Sequence, residues 1–322
     1  MKDYYGRTID YLRLSLTDRC QLACCYCVPN ETVEWLAKED LLTDSEILKF
    51  VETFAKLGIT KLKLTGGEPL LRKGLIQLIS DLKAIEGIEE ITLTTNGILL
   101  GEMVEELVAA GIDGINVSLD TLNSKRYTLM TRRNQLDKVL AGLEQAATSD
   151  LKKLKVNCVL ISELNKDEII KIAKLAQVNR IHVRFIEWMP MGSQKSFTSI
   201  SEQEVLKLLS MHYGMIKSYE GKLGNGPAHY FEIDGFQGKI GFISAVSQHF
   251  CETCNRLRIT SDGFLKTCLF FNRGIDLRKA QALETLESDI LNALKQKPKA
   301  HDFKNKRNEL DREMKHMVQI GG

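Results

Sequence analysis

Tyr11-Leu12-Arg13-Leu14-Ser15-Leu16 alternates apolar with polar residues, the period of a β-strand that buries one face. Later short runs are strand candidates of the same kind: Lys61 to Thr65, Ile91 to Thr94, Gly114 to Ser118, Leu154 to Leu160 and Ile181 to Ile186. Stretches of helical period lie between them, one opening with the capping box Thr43-Asp44-Ser45-Glu46 and closing at Gly58. Strand and helix in such regular succession predict a parallel α/β sheet. Six units fall short of the eight that close a barrel, leaving an incomplete barrel or a doubly wound sheet.

The alternation decides between them. Strands covered on both faces read as nearly continuous apolar runs, yet here Arg13, Lys63, Lys155 and Arg184 fall on the polar face of four different strands. The apolar faces of the helices cover the other side, and the polar side lines a lumen. The expected fold class is therefore α/β, an incomplete (β/α)6 TIM-type barrel. Uncompensated buried cations cost several kcal/mol each, so this lumen must be wet or hold a polyanion. A flat sheet surface facing water is the alternative, and it fits poorly with parallel connections.

After Met189-Pro190 the pattern changes, which divides the chain into a barrel over 1–192 and a C-terminal α+β region over 193–322. A second capping box, Ser201-Glu202-Gln203-Glu204, starts a helix, and a Gly-rich turn spans 221–226. Short alternating runs at 229–234, 239–244, 256–260 and 264–268 predict a small antiparallel sheet. The charged stretch from Lys297 through His316 reads as solvated helix, and Gly321-Gly322, by position, as a frayed end.

The chain has 322 residues, 43% of them hydrophobic and 27% charged, enough for a substantial core. A net charge of only +2 predicts no binding to nucleic acid or to an acidic membrane, so any anion site must be local. No run approaches the roughly 18 apolar residues of a membrane span. The start, Met1-Lys2-Asp3-Tyr4-Tyr5, lacks the apolar core of a signal peptide, and a cytoplasmic protein is expected.

Seven of the eight cysteines fall in two clumps, which points to metal or catalytic use in a reducing compartment rather than to disulfides. Cys158 stands alone in an apolar run and reads as a packing residue. Cys20-x3-Cys24-x2-Cys27 occupies the loop after the first strand, at the end where barrel enzymes place their sites. Its three thiolates can hold three corners of an iron-sulfur cube and leave one iron open. Cys25 is adjacent to a ligand and reads as a bystander; a zinc loop would want a fourth ligand nearby. Cys251-x2-Cys254-x13-Cys268 again supplies three, and His249 could complete a zinc site there.

Cys20-x3-Cys24-x2-Cys27 with Tyr26, followed by Thr65-Gly66-Gly67-Glu68-Pro69, resembles the signature of the radical S-adenosylmethionine (SAM) superfamily. The resemblance implies a [4Fe-4S] cluster whose open iron binds the amino and carboxylate groups of SAM, and cleavage of SAM to a 5′-deoxyadenosyl radical. It also implies that the backbone of the Gly-Gly-Glu-Pro segment meets the methionyl amino group. The surroundings of the second clump, Phe250-Cys251-Glu252-Thr253-Cys254-Asn255-Arg256-Leu257-Arg258 and Ser261-Asp262-Gly263, resemble the superfamily branch that cyclises GTP at the first step of molybdenum cofactor biosynthesis. That likeness runs from Asp10-Tyr11-Leu12-Arg13-Leu14-Ser15 to Gly321-Gly322.

The branch implies a second [4Fe-4S] cluster, on Cys251, Cys254 and Cys268, whose open iron coordinates guanine. Hydrogen would leave ribose C3′ and that carbon would attack C8, giving 3′,8-cyclo-7,8-dihydro-GTP. Matched position by position, Arg13, Lys63, Thr94, Lys155, Arg256, Leu257 and Arg258 correspond to GTP contacts, with Arg184 added from the strand alternation. Tyr26, Gly67, Ser118 and Met189 correspond to SAM contacts, and Gly321 and Gly322 to a catalytic tail that reaches into the site. Relatives usually carry Arg where this chain has Lys63, so a point charge replaces a bidentate fork. Implied partners are a downstream cyclic pyranopterin monophosphate synthase, an electron donor protein and a second copy in a homodimer. Two rivals remain: a radical SAM peptide-modifying enzyme, which would need a peptide-binding extension and more cysteines, and a zinc-stabilised nucleotide-binding protein.

Overall fold

A computed structural model of the chain describes residues 1–28, 33–190, 197–301, 311 and 313–321. The six strands read from the alternation are present as β1 (Tyr11–Ser15), β2 (Lys61–Thr65), β3 (Glu90–Thr95), β4 (Gly114–Ser118), β5 (Leu154–Leu160) and β6 (Ile181–Glu187). They run side by side in chain order, each parallel to the next. The connecting helices are α1 (Asp44–Lys56), α2 (Leu75–Ala84), α3 (Leu100–Ala109), α4 (Ser124–Thr131), α5 (Leu136–Thr148), α6 (Ser162–Asn165) and α7 (Ile169–Val178). The capping box at the start of α1 is formed: Glu46 N–H donates to Thr43 Oγ1 at 3.3 Å, and Thr43 N–H to Glu46 Oε2 at 2.8 Å. A cap of this kind is worth about 1 kcal/mol.

Leu12, Leu14, Leu62, Leu64, Ile91, Leu93, Ile115 and Val117 point to the helix side and share one core with Phe50, Phe54, Leu78, Leu82, Leu107 and Val139. Burying each such side chain is worth about 1.5–3 kcal/mol, which fixes strand register, since a one-residue slip would turn the cations of the other face into this core. Cys158 lies fully buried in the same cluster, the packing residue the sequence indicated.

The C-terminal strands depart from the expected separate antiparallel sheet. The chain continues through α8 (Glu202–Tyr213), β7 (Ile216–Tyr219), β8 (His229–Ile233), β9 (Ile240–Ile243), β10 (Arg256–Ile259), β11 (Phe264–Lys266) and β12 (Gly274–Asp276). β9 joins β6 in parallel and β10 joins β1 in parallel, so both edges of the barrel sheet are extended. Only the outer pairs are antiparallel. The physical reason is that the edges of a six-stranded parallel sheet present unpaired N–H and C=O groups, which β9 and β10 satisfy. Among the described residues one twelve-stranded sheet results, and no ladder joins its two outer strands. The sheet is an open barrel.

After β12 come α9 (Leu277–Ala282), α10 (Leu286–Lys295) and a terminal turn, α11 (Met317–Ile320). The charged stretch before α11 is not simply solvated. Lys297 is 4% exposed, and Lys266 and Glu313 form an ion pair with both side chains buried. No helix among the described residues is long and apolar enough to cross a membrane.

Candidate functional site

The loop after β1 carries Cys20, Cys24 and Cys27. It is tied to the end of α4 by Ala23 N–H to the Thr131 carbonyl (3.1 Å) and Cys25 N–H to the Met130 carbonyl (2.9 Å). Burial raises all three thiols: Cys20 to about 11, Cys27 to about 12 and Cys24 well above its ordinary value. Repulsion from Cys27 and Cys20 adds to the rise at Cys24, so the three lie within each other's field. Cys20 Sγ accepts from Leu22 N–H (3.4 Å) and from Asn96 Nδ2 (3.7 Å). Thiolates that repel one another, sit out of water and receive N–H donors are the donor set of an iron-sulfur cube, whose cationic iron removes the repulsion. The site therefore fits that group.

Gly66 and Gly67 follow β2, and the absence of side chains there has a packing cause. Gly67 N–H donates to the Thr17 carbonyl at 2.6 Å, and a Cβ on Gly67 would drive into the Arg19 carbonyl. The two glycines let the cysteine loop lie directly on the end of β2. Glu68 is buried, accepts from Thr95 Oγ1 (2.7 Å), Asn96 N–H (2.7 Å) and Leu70 N–H (3.1 Å), and is still raised to about 7 by burial. It links β2, β3 and, through Asn96, Cys20.

The polar face of the sheet encloses a cavity of about 280 Å³. Tyr26, Ser118 and Met189 line it, and so do Thr94, Cys251, Cys254 and Cys268. Eight Arg and Lys side chains line it against two carboxylates, Glu90 and Asp120, so the chain's near-neutral total conceals a strongly positive chamber. Arg13 lies opposite Lys63 on β2 and opposite Arg258 on β10. Like charges in facing positions are destabilising. Burial lowers the Arg13, Lys63 and Arg258 pKa values, and neighbouring cations, Arg184 foremost at Lys63, lower them further. The ring carries a strain that a polyanion would relieve.

Lys155 is pushed down to about 7 by burial, with Arg184 and Lys153 adding and Glu90 opposing. An ordinary lysine titrates near 10.4, so between about pH 7 and 10 the unfolded chain holds the extra proton and stability rises with pH. An anion in the chamber restores the ammonium. Binding of a nucleoside triphosphate at pH 8 is accordingly expected to take up protons, with affinity falling as pH rises. Calorimetry in two buffers of different ionisation enthalpy checks this: uptake that is absent, or undiminished in Lys155→Met, would contradict it.

Two of the expected contact residues are not among those lining the cavity. Leu257 is 1% exposed and belongs to the core on the helix side, leaving only its backbone for the chamber. Gly67 lies under Arg19, not on the cavity wall. Gly321 adopts φ +74°, and its carbonyl accepts from Arg258 Nη1 at 2.9 Å. A Cβ there would meet Ser15 Cβ at 2.9 Å and Thr65 Oγ1 at 3.0 Å. The chain end thus lies at the C-terminal ends of β1 and β2 with the Val318 N–H on Cys27, whereas Gly322 lies outside the described residues.

Sequence reasoning missed several groups. Asp120 Oδ2 accepts from the Tyr26 hydroxyl (2.6 Å), Oδ1 accepts from Val159 N–H (2.7 Å), and burial raises the carboxyl to about 6. Its parity with Asn116 and Ser118 was the available signal. Lys297 donates to the Arg256 and Thr267 carbonyls at 2.9 and 2.6 Å, tying the two arms that carry the second trio. At Cys254 burial raises the thiol, but Lys297 and Arg256 outweigh it and bring it to about 6. Arg7 donates to the Cys251 carbonyl at 2.7 Å. Neither basic residue stands in a motif, so only the fold reveals them.

A cysteine trio at the C-terminal end of β1 above a polar half-barrel defines a class. The model for the radical SAM superfamily matches residues 14–176, and that for Molybdenum Cofactor Synthesis C matches residues 181–303. The chain belongs to the radical SAM superfamily. It is 45% identical over 326 residues to the GTP 3′,8-cyclase of Clostridium perfringens (strain SM101 / Type A), covering 100% of both chains, and 42% identical over 308 residues to that of Peptoclostridium acidaminophilum, covering 94% of each. Within the superfamily it is a member of the GTP 3′,8-cyclase family. Streptococcus suis SuiB bound to S-adenosylmethionine superposes with TM-score 0.62 at 15% identity, over 89% of this chain and 68% of that one, a likeness of fold.

Proposed function

We infer that the protein cyclises GTP to 3′,8-cyclo-7,8-dihydro-GTP, the opening reaction of molybdenum cofactor biosynthesis. The observation that carries this is one positively lined chamber with the second cysteine trio in its wall and the first-trio loop at its rim. Cys20, Cys24 and Cys27 would hold a [4Fe-4S] cluster, and Tyr26, Ser118, Met189 and the Gly67 backbone would hold SAM. When bound, that pair supplies the hydrogen-abstracting chemistry. The Tyr26–Asp120 hydrogen bond fixes this loop side chain on the chamber wall.

The rest is positioning by the chain's own residues. Arg13, Lys63, Lys155 and Arg184 seat the triphosphate, and Thr94 reaches the same space. Cys251, Cys254 and Cys268 would hold a second [4Fe-4S] cluster, which would supply an anchor for the guanine, while Arg256, Arg258 and the Leu257 backbone would bound the base. The ribose is then held between the two ends, the kind of placement that is worth several kcal/mol of barrier. Gly321, clamped by Arg258, closes the space at β1 and β2, and Gly322, outside the described residues, is assigned to the same tail by the resemblance alone. Labour divides along the chain, 1–192 for SAM and 193–322 for the base. The setting is a cytoplasmic homodimer that receives an electron from a donor protein and passes its product to the synthase of cyclic pyranopterin monophosphate.

Full-length relatives favour this over a peptide-modifying role, for which the likeness to SuiB offers only a fold. Anaerobic reconstitution tests it. Two four-iron clusters and GTP-dependent release of 5′-deoxyadenosine are expected; stoichiometric zinc with no SAM cleavage would overturn the reading.

A further inference from the structure

Among the described residues one constellation of metal-binding side chains overlaps the second trio at Cys251 and adds two imidazoles from outside it. His249, Cys251 and His301 offer ligand atoms that all lie within 4.8 Å of one another. The two imidazole centroids lie 4.8 Å apart with the ring planes tilted by 59°. They come from distant parts of the sequence, His249 just before Cys251 and His301 after α10, so their meeting is a product of the fold.

The backbone around them is fixed without any ion. Arg7 donates to the carbonyls of Cys251 (2.7 Å), Pro298 (2.8 Å) and Lys299 (3.0 Å), pinning the cysteine loop to the strap that carries His301. Lys297 holds the start of that strap on the Arg256 and Thr267 carbonyls. A ligand set held this way is preorganised, and closing it onto an ion requires side-chain movement of about 1 Å.

One thiolate with two imidazoles suits a borderline tetrahedral ion, and the lack of carboxylates disfavours calcium or magnesium. His301 also lines the chamber, so a fourth position would open towards it. We propose that His249, Cys251 and His301 form a mononuclear site for zinc or a similar divalent metal, filled when Cys251 is not engaged in a cluster. The two occupants are mutually exclusive, because the Cys251 sulfur cannot serve both. A chain lacking its second cluster thereby has an oxygen-stable form in which this thiol is protected. The site goes beyond the cyclase reading; only its exclusion by a cluster on Cys251 rests on that reading.

The test uses the full chain with Cys20, Cys24 and Cys27 replaced by Ala, reduced and free of iron, so that only the second region is read. Cobalt(II) is expected to bind at about one equivalent with the visible bands of a tetrahedral thiolate site. X-ray absorption of the zinc form should show two nitrogens at about 2.0–2.1 Å and one sulfur at about 2.3 Å. His249→Ala and His301→Ala should each weaken binding by about tenfold or more, while Cys254→Ala and Cys268→Ala leave it within about twofold. A shell of three sulfurs would overturn the proposal, as would affinity that ignores both imidazoles, or no binding at about 100 μM cobalt. The absorption measurement needs no change at the site itself, so misfolding of a variant cannot decide the matter. Iron and sulfide loading of the same chain reads the second cluster separately, and either assignment can fail alone.

Discussion

Cys251→Ala is expected to abolish the cyclic product while leaving slow, uncoupled cleavage of SAM. The first trio, with its Asn96 and Leu22 donors and its anchorage on α4, follows the C-terminal end of β1, whereas Cys251 precedes β10 at the opposite end of the adjacent parallel strand. Loss of the thiol therefore spares the radical-generating end. On the proposed reading, what disappears is the anchor for the base, and with it the placement of the ribose. Positioning of reactants is worth about 7–11 kcal/mol in favourable cases, so loss of product by roughly three orders of magnitude or more is the expected scale. The assay measures 5′-deoxyadenosine and cyclised nucleotide in the same anaerobic reaction. Product that persists near the parent rate would remove the guanine-anchoring role from the second trio.

Gly321→Val should be nearly as severe for a different reason. At φ +74° a branched residue is strained by about 1–3 kcal/mol, and its Cβ would press on Ser15 and Thr65, at the ends of two central strands. The tail must leave, and the hydrogen bond from Arg258 to the Gly321 carbonyl goes with it. Because α11 is only Met317–Ile320, the barrel core does not depend on it. The barrel should stay folded with a modestly lower melting temperature, because Ile320 leaves its cluster with Phe270 and Phe271, and product formation should fall about 100-fold with the displaced Arg258. Full activity in this variant would make the tail a bystander.

The six barrel strands were legible because each alternates, and because their helices carry clear caps at Thr43 and Ser201. Two short strands were not. Ile216–Tyr219 has no fully buried position, and Gly274–Asp276 is three residues long, so neither carries a hydrophobic period. The destination of β9 and β10 was equally hidden: their alternation shows that they are strands, but which free edge they complete is decided by tertiary pairing. The chamber's cations were readable as a group from parity, whereas Lys297 and Glu313 looked like solvent-facing charge in a charged segment. Leu257 shows the converse limit, where adjacency to Arg256 and Arg258 in a motif does not place a side chain on their face.

The central claim is that the ribose of GTP sits between the two cysteine trios with C3′ presented to the SAM side. A single-turnover reaction of the reconstituted enzyme with GTP deuterated at C3′ tests it most directly. Deuterium recovered in 5′-deoxyadenosine, together with cyclised nucleotide lacking it, is the predicted result. Unlabelled 5′-deoxyadenosine accompanied by a cyclic product that retains the deuterium would contradict the account.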